Sequence, residues 1–205
     1  MKLYYSPGSC SLAVHIVLRE ANVPHELANV DLWQHKTASG ADYYQANPKG
    51  TVPALEFEGG LLTEGPAITQ YLADRYAPEL VPANGTLERT RLHEMLNYLS
   101  SDVHKSFTPL FYLAADADAT DAQRPVIAKL TYLNSVLASG RAFILGGTFT
   151  VADAYLFALT RWCAKFKISL DAFSQFNGYM ARIEARPAVK AALQAEGLEE
   201  QYAQR

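Results

Sequence analysis

The hydrophobic period of this chain changes once and does not change back. Up to about residue 77, short apolar runs of strand character alternate with single helical stretches. After the segment PELVPANG, residues 78–85, every apolar pattern has a helical period. A chain that places all its strands early and then turns wholly helical is expected to fold as an α/β unit followed by an all-α unit. The boundaries read from the pattern are 1–77 for the first domain, 78–86 for a linker and 87–205 for the second domain. A length of 205 residues accommodates two small domains or one large one.

Within the first unit, KLYYS at 2–6 reads as a short buried strand and Pro7-Gly8 as the turn that ends it. Leu12, Ile16 and Val17 recur at helical spacing within 10–22, and HELANVD at 25–31 alternates as a second strand. Residues 33–50 are polar and loop-like, with room for a short helix at 41–46. Residues 52–57 form a strand, Glu58-Gly59-Gly60 a hairpin turn and 61–63 the return strand, and Pro66 then suits the first turn of a helix. The order is β-α-β followed by β-β-α. The second unit begins with one long helical pattern over 86–115, which Pro109 ends or kinks. Helices over 123–139, 151–166 and 171–185 follow, with a shorter piece from Pro187.

Half the residues are apolar (49%) and 19% are charged, which is ordinary globular composition. A formal net charge of −3 lacks the basic excess of a nucleic-acid or anionic-membrane binder. No run approaches the ~20 apolar residues of a membrane span. Pro7 and Gly8 interrupt any signal-peptide core, so none is expected. The two cysteines form no CxxC and no cluster with histidine, which argues against zinc and fits a reducing cytoplasm.

One of those cysteines, Cys10, stands in SPGSCSLAVH, where a loop becomes a helix. Unpaired amides and the helix dipole at that end favour an anion, which biases a thiol toward thiolate, and Ser9 and Ser11 add hydroxyl donors. The bland alternative is a small inert residue. Cys163, inside an apolar helix, reads as core. In NPKGTVPAL, Pro53 belongs at a strand start or edge, so the backbone of Val52 can pair with an extended peptide. In LTEGPAI, Glu64 and Gly65 stand at a second helix start, where amides can hold a carboxylate and Glu64 an ammonium. The alternative is an acid that complements the helix dipole. On the long helix, Leu92, Leu96, Leu99 and Val103 form a core stripe. Asn97, Ser101, His104 and Thr108 form a second stripe, read either as a cleft wall or as a solvated face. Thr150 and Asp153 in FTVADAYLF fit a capping box, with Asp in place of the usual Glu or Gln: a folding signal without catalytic meaning.

Taken together, these segments resemble a cytosolic glutathione transferase, with the bacterial beta class the best match. The resemblance rests on 6–20, 47–55, 61–74, 96–111 and 149–157 and covers nearly the whole chain. It implies a thioredoxin-like N-terminal domain, an all-helical C-terminal domain, a homodimer, and glutathione in a cleft of the first domain as a co-substrate, with no other cofactor and no metal. Carried over by position, Cys10 lies near the glutathione sulfur, Val52 is the backbone partner of the cysteinyl unit and Pro53 is the cis-proline. Glu64 and Gly65 hold the γ-glutamyl end, Asn97 and His104 line the site, and Asp102 reaches toward the neighbouring subunit's glutathione. His35 or Lys36 meets the glycyl end, where family members often have Lys. Gly65 replaces a frequent Ser and Asp102 a commoner Glu. Tyr5 has a minor role at best.

The resemblance implies conjugation of glutathione to a small apolar electrophile, together with thiol–disulfide exchange through Cys10. Phe107, Phe111, Tyr112, Trp162 and Phe166 could line the electrophile pocket. A non-enzymatic carrier or regulatory member of the same fold is the competing function. It is disfavoured by the joint presence of Cys10, Val52-Pro53, Glu64 and His104.

Overall fold

The computed structural model describes residues 1–199; the last six positions of the expected second domain lie outside the described residues. The first unit contains β1 (Lys2–Tyr5), α1 (Leu12–Glu20), β2 (Glu26–Asp31), β3 (Lys36–Thr37), β4 (Ala54–Phe57), β5 (Gly60–Thr63) and α2 (Gly65–Tyr76). The strands form one mixed sheet in the order β3-β2-β1-β4-β5. β1 runs parallel to β2, with Leu3 opposite Leu27, and antiparallel to β4, with Leu3 opposite Leu55. A central strand is covered on both faces, which is why KLYY is apolar without clean alternation. Leu3 and Tyr5 face the main core, and Tyr4 faces a smaller cluster with Val30, Tyr43 and Ala54.

The two-residue β3 inside the expected loop 33–50 was not foreseen. It closes a small antiparallel turn on β2, pairing Lys36 with Asp31. The short helix expected at 41–46 is a 3-10 turn, Tyr43–Gln45, capped by the Asp42 side chain. The linker carries another 3-10 turn at Pro78–Leu80.

The second unit comprises α3 (Leu87–Tyr98), a π-helical turn (Leu99–His104), α4 (Lys105–Phe111), α5 (Thr120–Leu137), α6 (Val151–Thr160), α7 (Trp162–Lys165), α8 (Ser174–Glu184) and α9 (Pro187–Ala195). The single long helix expected over 86–115 is therefore three segments. Pro109 lies inside α4, two residues before its end, where it cannot donate to the carbonyl four residues back. α6 is buried along its whole length and packs against α1, which also meets α9. Leu12 to Leu18 of α1 are buried as a result, and one continuous core runs through both units.

At the start of α6 the expected capping box is present. Asp153 accepts from the amide and hydroxyl of Thr150 at 2.8 and 2.9 Å. It also accepts from the Ile144 amide at 2.8 Å and the Tyr179 hydroxyl at 2.9 Å, so one buried carboxylate ties α6, α8 and the preceding loop together.

Candidate active site

A cleft of about 1510 Å³ opens between the two units. The strand ends of the sheet and the start of α2 supply one wall: Cys10, His35, Lys36, Val52, Pro53, Glu64 and Gly65. The helical unit supplies the other: Ser100, His104, Thr108, Phe111, Tyr112, Tyr155 and Trp162. Every residue placed near glutathione by its sequence position therefore lines this space except Asn97 and Asp102.

The reason for Asn97 is local. The π-turn at 99–104 holds more residues per turn than an α-helix, so a stripe drawn at 3.6 residues loses register through it. Asn97 is exposed outside the cleft, and its carbonyl accepts from the hydroxyls of Ser100 and Ser101 at 3.1 and 2.9 Å. Ser100 takes the place on the wall that the stripe had given to Asn97 and Ser101. Asp102 is half-exposed and paired with Lys129 of α5 at 2.9 Å, which holds its carboxyl below the usual range. Tyr5 is buried beside His15 and does not line the cleft.

Cys10 precedes α1 by two residues, and the anion-binding reading of that junction is corrected by its hydrogen bonds. The Leu12 amide donates to Ser9 O, the Ala13 amide to Cys10 O, and the Ser11 amide to Ser9 Oγ. The Ser9 and Ser11 hydroxyls bond to each other at 2.7 Å, and Ser11 Oγ also serves the backbone of Ser6. These groups hold the loop; they are not spare donors. Trp162 Nε1 donates to Gly8 O at 2.8 Å and the Gly8 amide donates to Glu196, clamping the same loop to the second unit.

The thiol of Cys10 donates to the Val52 carbonyl at 3.5 Å. The side chain keeps part of its surface open to the cleft. Burial pushes the thiol up to about 12, with Glu64 adding to the rise and its own amide opposing it. That shift opposes the bias toward thiolate expected from the helix start. Pro53 follows Val52 through a cis peptide bond, and Val52 is buried at the cleft floor.

Glu64 has φ +70°, a conformation unusual for a residue with a side chain, at the N-cap of α2. It makes no capping hydrogen bond, so the dipole-complement reading has no bond to support it. Its carboxylate is 68% exposed and paired with Lys49 at 2.7 Å. A Cβ on Gly65 would meet Pro53 only at ordinary contact distance, so a serine would fit there. His35 also has positive φ, stacks on Tyr44 at 4.5 Å, and leaves its buried Nδ1 without a partner. Lys36 beside it is exposed. Both line the cleft.

On the helical wall, His104 Nδ1 lies 2.8 Å from the Tyr155 hydroxyl, and the Trp162 ring packs against the imidazole at 4.9 Å. Burial pulls His104 down to about 4, so it is neutral near pH 7. Burial also raises Tyr155, which stays protonated. Sequence reading missed Tyr155 because it sits in an apolar run with its partner 51 positions away. It missed Trp33 as well. This ring, 78% exposed, meets Tyr112, 75% exposed, edge to face at 6.3 Å and bridges the cleft mouth from one unit to the other. Phe107 is fully buried, and neither it nor Phe166 lines the cleft; both pack in the aromatic layer behind it.

A thioredoxin-like sheet joined to a helical unit, with such a cleft between them, can be set against known proteins. Residues 7–75 match the family model "Glutathione S-transferase, N-terminal domain", and residues 101–196 match "Glutathione S-transferase, C-terminal domain". The chain belongs to the glutathione S-transferase family. It is 44% identical to glutathione S-transferase GstA of Escherichia coli O157:H7, over 97% of this chain and 100% of that one. The solved ternary complex of BphK, a bacterial glutathione S-transferase, superposes with a TM-score of 0.91 at 46% identity, covering 97% and 100% of the two chains. The bacterial beta-class glutathione S-transferase of Sphingomonas chungbukensis gives 0.91 at 44% identity with the same coverage. The fold expected from the beta-class resemblance, a thioredoxin-like domain followed by an all-helical one, is the fold observed. No helix among the described residues is long and apolar enough to cross a membrane, and no group of three or more metal-ligating side chains is assembled among them.

Proposed function

We propose that this glutathione S-transferase conjugates glutathione to small apolar electrophiles in the cleft between its domains, with slower thiol–disulfide exchange at Cys10. One observation carries the reading: a polar, peptide-pairing wall faces, across a single space, a helical wall that combines His104 with the aromatic rings of Phe111, Tyr112, Tyr155 and Trp162. Glutathione suits the first wall. The Val52 backbone pairs with its cysteinyl unit, Glu64 and the start of α2 take the charged γ-glutamyl end, and His35 or Lys36 meets the glycyl carboxylate. The sulfur then lies between Cys10 and His104. It loses its proton to solvent, and the thiolate forms a carbon–sulfur bond to the electrophile as the leaving group departs. Phe111, Tyr112 and Trp33 hold the apolar part of the electrophile. A carrier without activity would not require a free thiol, a neutral histidine and aromatic rings around one cleft.

The fold family also supports a homodimer acting in the cytoplasm, with Asp102 near the two-fold interface. Sedimentation should find a dimer at micromolar concentration, and monomer alone would refute it.

Glu64 gives the direct test of the glutathione wall. Its carboxylate is exposed, so the effect is discounted for solvent screening. Glu64→Ala should weaken glutathione binding roughly tenfold, equivalent to about 1.4 kcal/mol. The melting temperature should hold, because the side chain makes no cap bond. Calorimetric titration beside thermal melts, with an aryl-halide conjugation assay, reads all three. Unchanged affinity with a lowered melting temperature would assign Glu64 to the helix dipole instead.

A further inference from the structure

The Ser9 and Ser11 hydroxyls and the amides of Ser11, Leu12 and Ala13 are consumed within the Cys10 loop. A sulfur anion placed there has the Cys10 amide and must find any further hydrogen bond elsewhere, and the helical wall offers His104. That imidazole has one nitrogen engaged, Nδ1 with Tyr155 at 2.8 Å. Nε2 has no hydrogen-bond partner among the described residues and is not sealed from solvent, and His104 lines the cleft. Whether a neutral imidazole helps or hinders a thiolate depends on which nitrogen carries the hydrogen. An Nε2–H donates to the anion, whereas an Nε2 lone pair repels it.

We propose that Tyr155 is a positioning residue of the transferase reaction: its hydroxyl donates to His104 Nδ1, which fixes the ring as the Nε2–H form and makes that N–H a donor to the glutathione sulfur. This rests on the reading that the sulfur lies beside Cys10 and His104. Three features support it. Tyr155 is 4% exposed, and its hydroxyl has no acceptor among the described residues other than Nδ1, so donating there avoids leaving a buried O–H unused. The ring cannot easily turn over to exchange its nitrogens. Trp162 packs on it edge to face at 64° and is itself pinned to Gly8 O. Finally, the imidazole is neutral throughout the range in which a thiol ionises, so its tautomer, not its charge, decides what the sulfur meets.

The charged and titratable groups around the pair are few. Lys105 follows His104 in α4, and Lys165 at the end of α7 lies over the Phe111 ring at 4.8 Å. Cys10 and Glu64 act on Tyr155 from the opposite wall. Lys105 and Lys165 would aid a thiolate whichever tautomer is present, so they do not explain the Tyr155 contact.

The test uses the full chain and two readouts. Nitrogen-15 NMR of the free protein should show His104 as the Nε2–H tautomer, and Tyr155→Phe should lose that preference while keeping the ring and the melting temperature. The ultraviolet absorbance of the glutathione thiolate, titrated on the protein, gives the ionisation of the bound thiol. Tyr155→Phe and His104→Ala should each lower the thiolate fraction below the thiol pKa roughly tenfold. The double variant should fall no further than His104→Ala alone. An Nδ1–H tautomer in the wild type, an unchanged thiolate fraction in Tyr155→Phe, or additive losses would overturn the proposal. An unchanged fraction in His104→Ala would also overturn it, but by removing His104 from the sulfur, which identifies the underlying site reading as the failure.

Discussion

Cys10→Ala is expected to abolish mixed-disulfide formation with glutathione, and with it disulfide exchange, while most conjugation survives. The chain has one other cysteine, and Cys163 is fully buried in the core, so no second thiol can take over. Conjugation draws on groups the substitution leaves in place: the backbone amide at position 10, the Val52 backbone and His104. The protonated state of Cys10 adds a kinetic signature. Only the thiolate attacks a disulfide, and its fraction rises about tenfold per pH unit below the thiol's pKa. With that pKa pushed up to about 12, the reaction of wild-type Cys10 with oxidised glutathione should accelerate steadily from neutral to alkaline pH without levelling near 7. Mass spectrometry should locate the added tripeptide on Cys10, and alkylation rates against pH should show the slope. A plateau near neutrality would mean that a cation reaches the sulfur in solution. Equal loss of both activities in Cys10→Ala would make this thiol part of the conjugation step.

Which parts of this molecule the sequence reveals depends on the range of the interaction that fixes them. The change of hydrophobic period near residue 77 is a property of neighbouring residues, and the order of strands and helices follows from it. So does the capping box, whose two members stand three residues apart. The stripe Leu92, Leu96, Leu99 and Val103 is buried as expected, because a core face tolerates a local change of pitch. The polar stripe does not. One π-turn leaves His104 and Thr108 in the cleft, leaves Asn97 outside it and brings Ser100 in. No apolar spacing encodes an i→i+5 turn, so the position of Asn97 could not be read. The junction at Cys10 failed for another local reason: Ser9 and Ser11 compete with any ligand for the amides around them. The features that close the cleft are long-range. Tyr155 meets His104, and Trp33 meets Tyr112, across separations that leave no trace in neighbouring residues.

Asp153→Ala is expected to be the most damaging single substitution for stability, far from any effect on the cleft chemistry. The carboxylate is fully buried and receives four hydrogen bonds, from the Thr150 amide and hydroxyl, the Ile144 amide and the Tyr179 hydroxyl. Burial raises its carboxyl while those donors oppose the rise, so the donors are what make a buried acid tolerable there. Alanine would leave the Ile144 and Thr150 amides and the Tyr179 hydroxyl without their acceptor in a site closed to water. Each such group costs about 1–3 kcal/mol, so the loss should be at least about 3 kcal/mol. For a chain of this size that corresponds to a fall in melting temperature on the order of 10 °C. Because α6 packs against α1, the loss should extend beyond one helix end and weaken the contact between the two units. Thermal melts and urea unfolding would measure it, and conjugation assayed well below the melting temperature should change little per folded molecule. A variant that melts like the wild type would show that the loop at Ile144 and the start of α6 hold without this carboxylate.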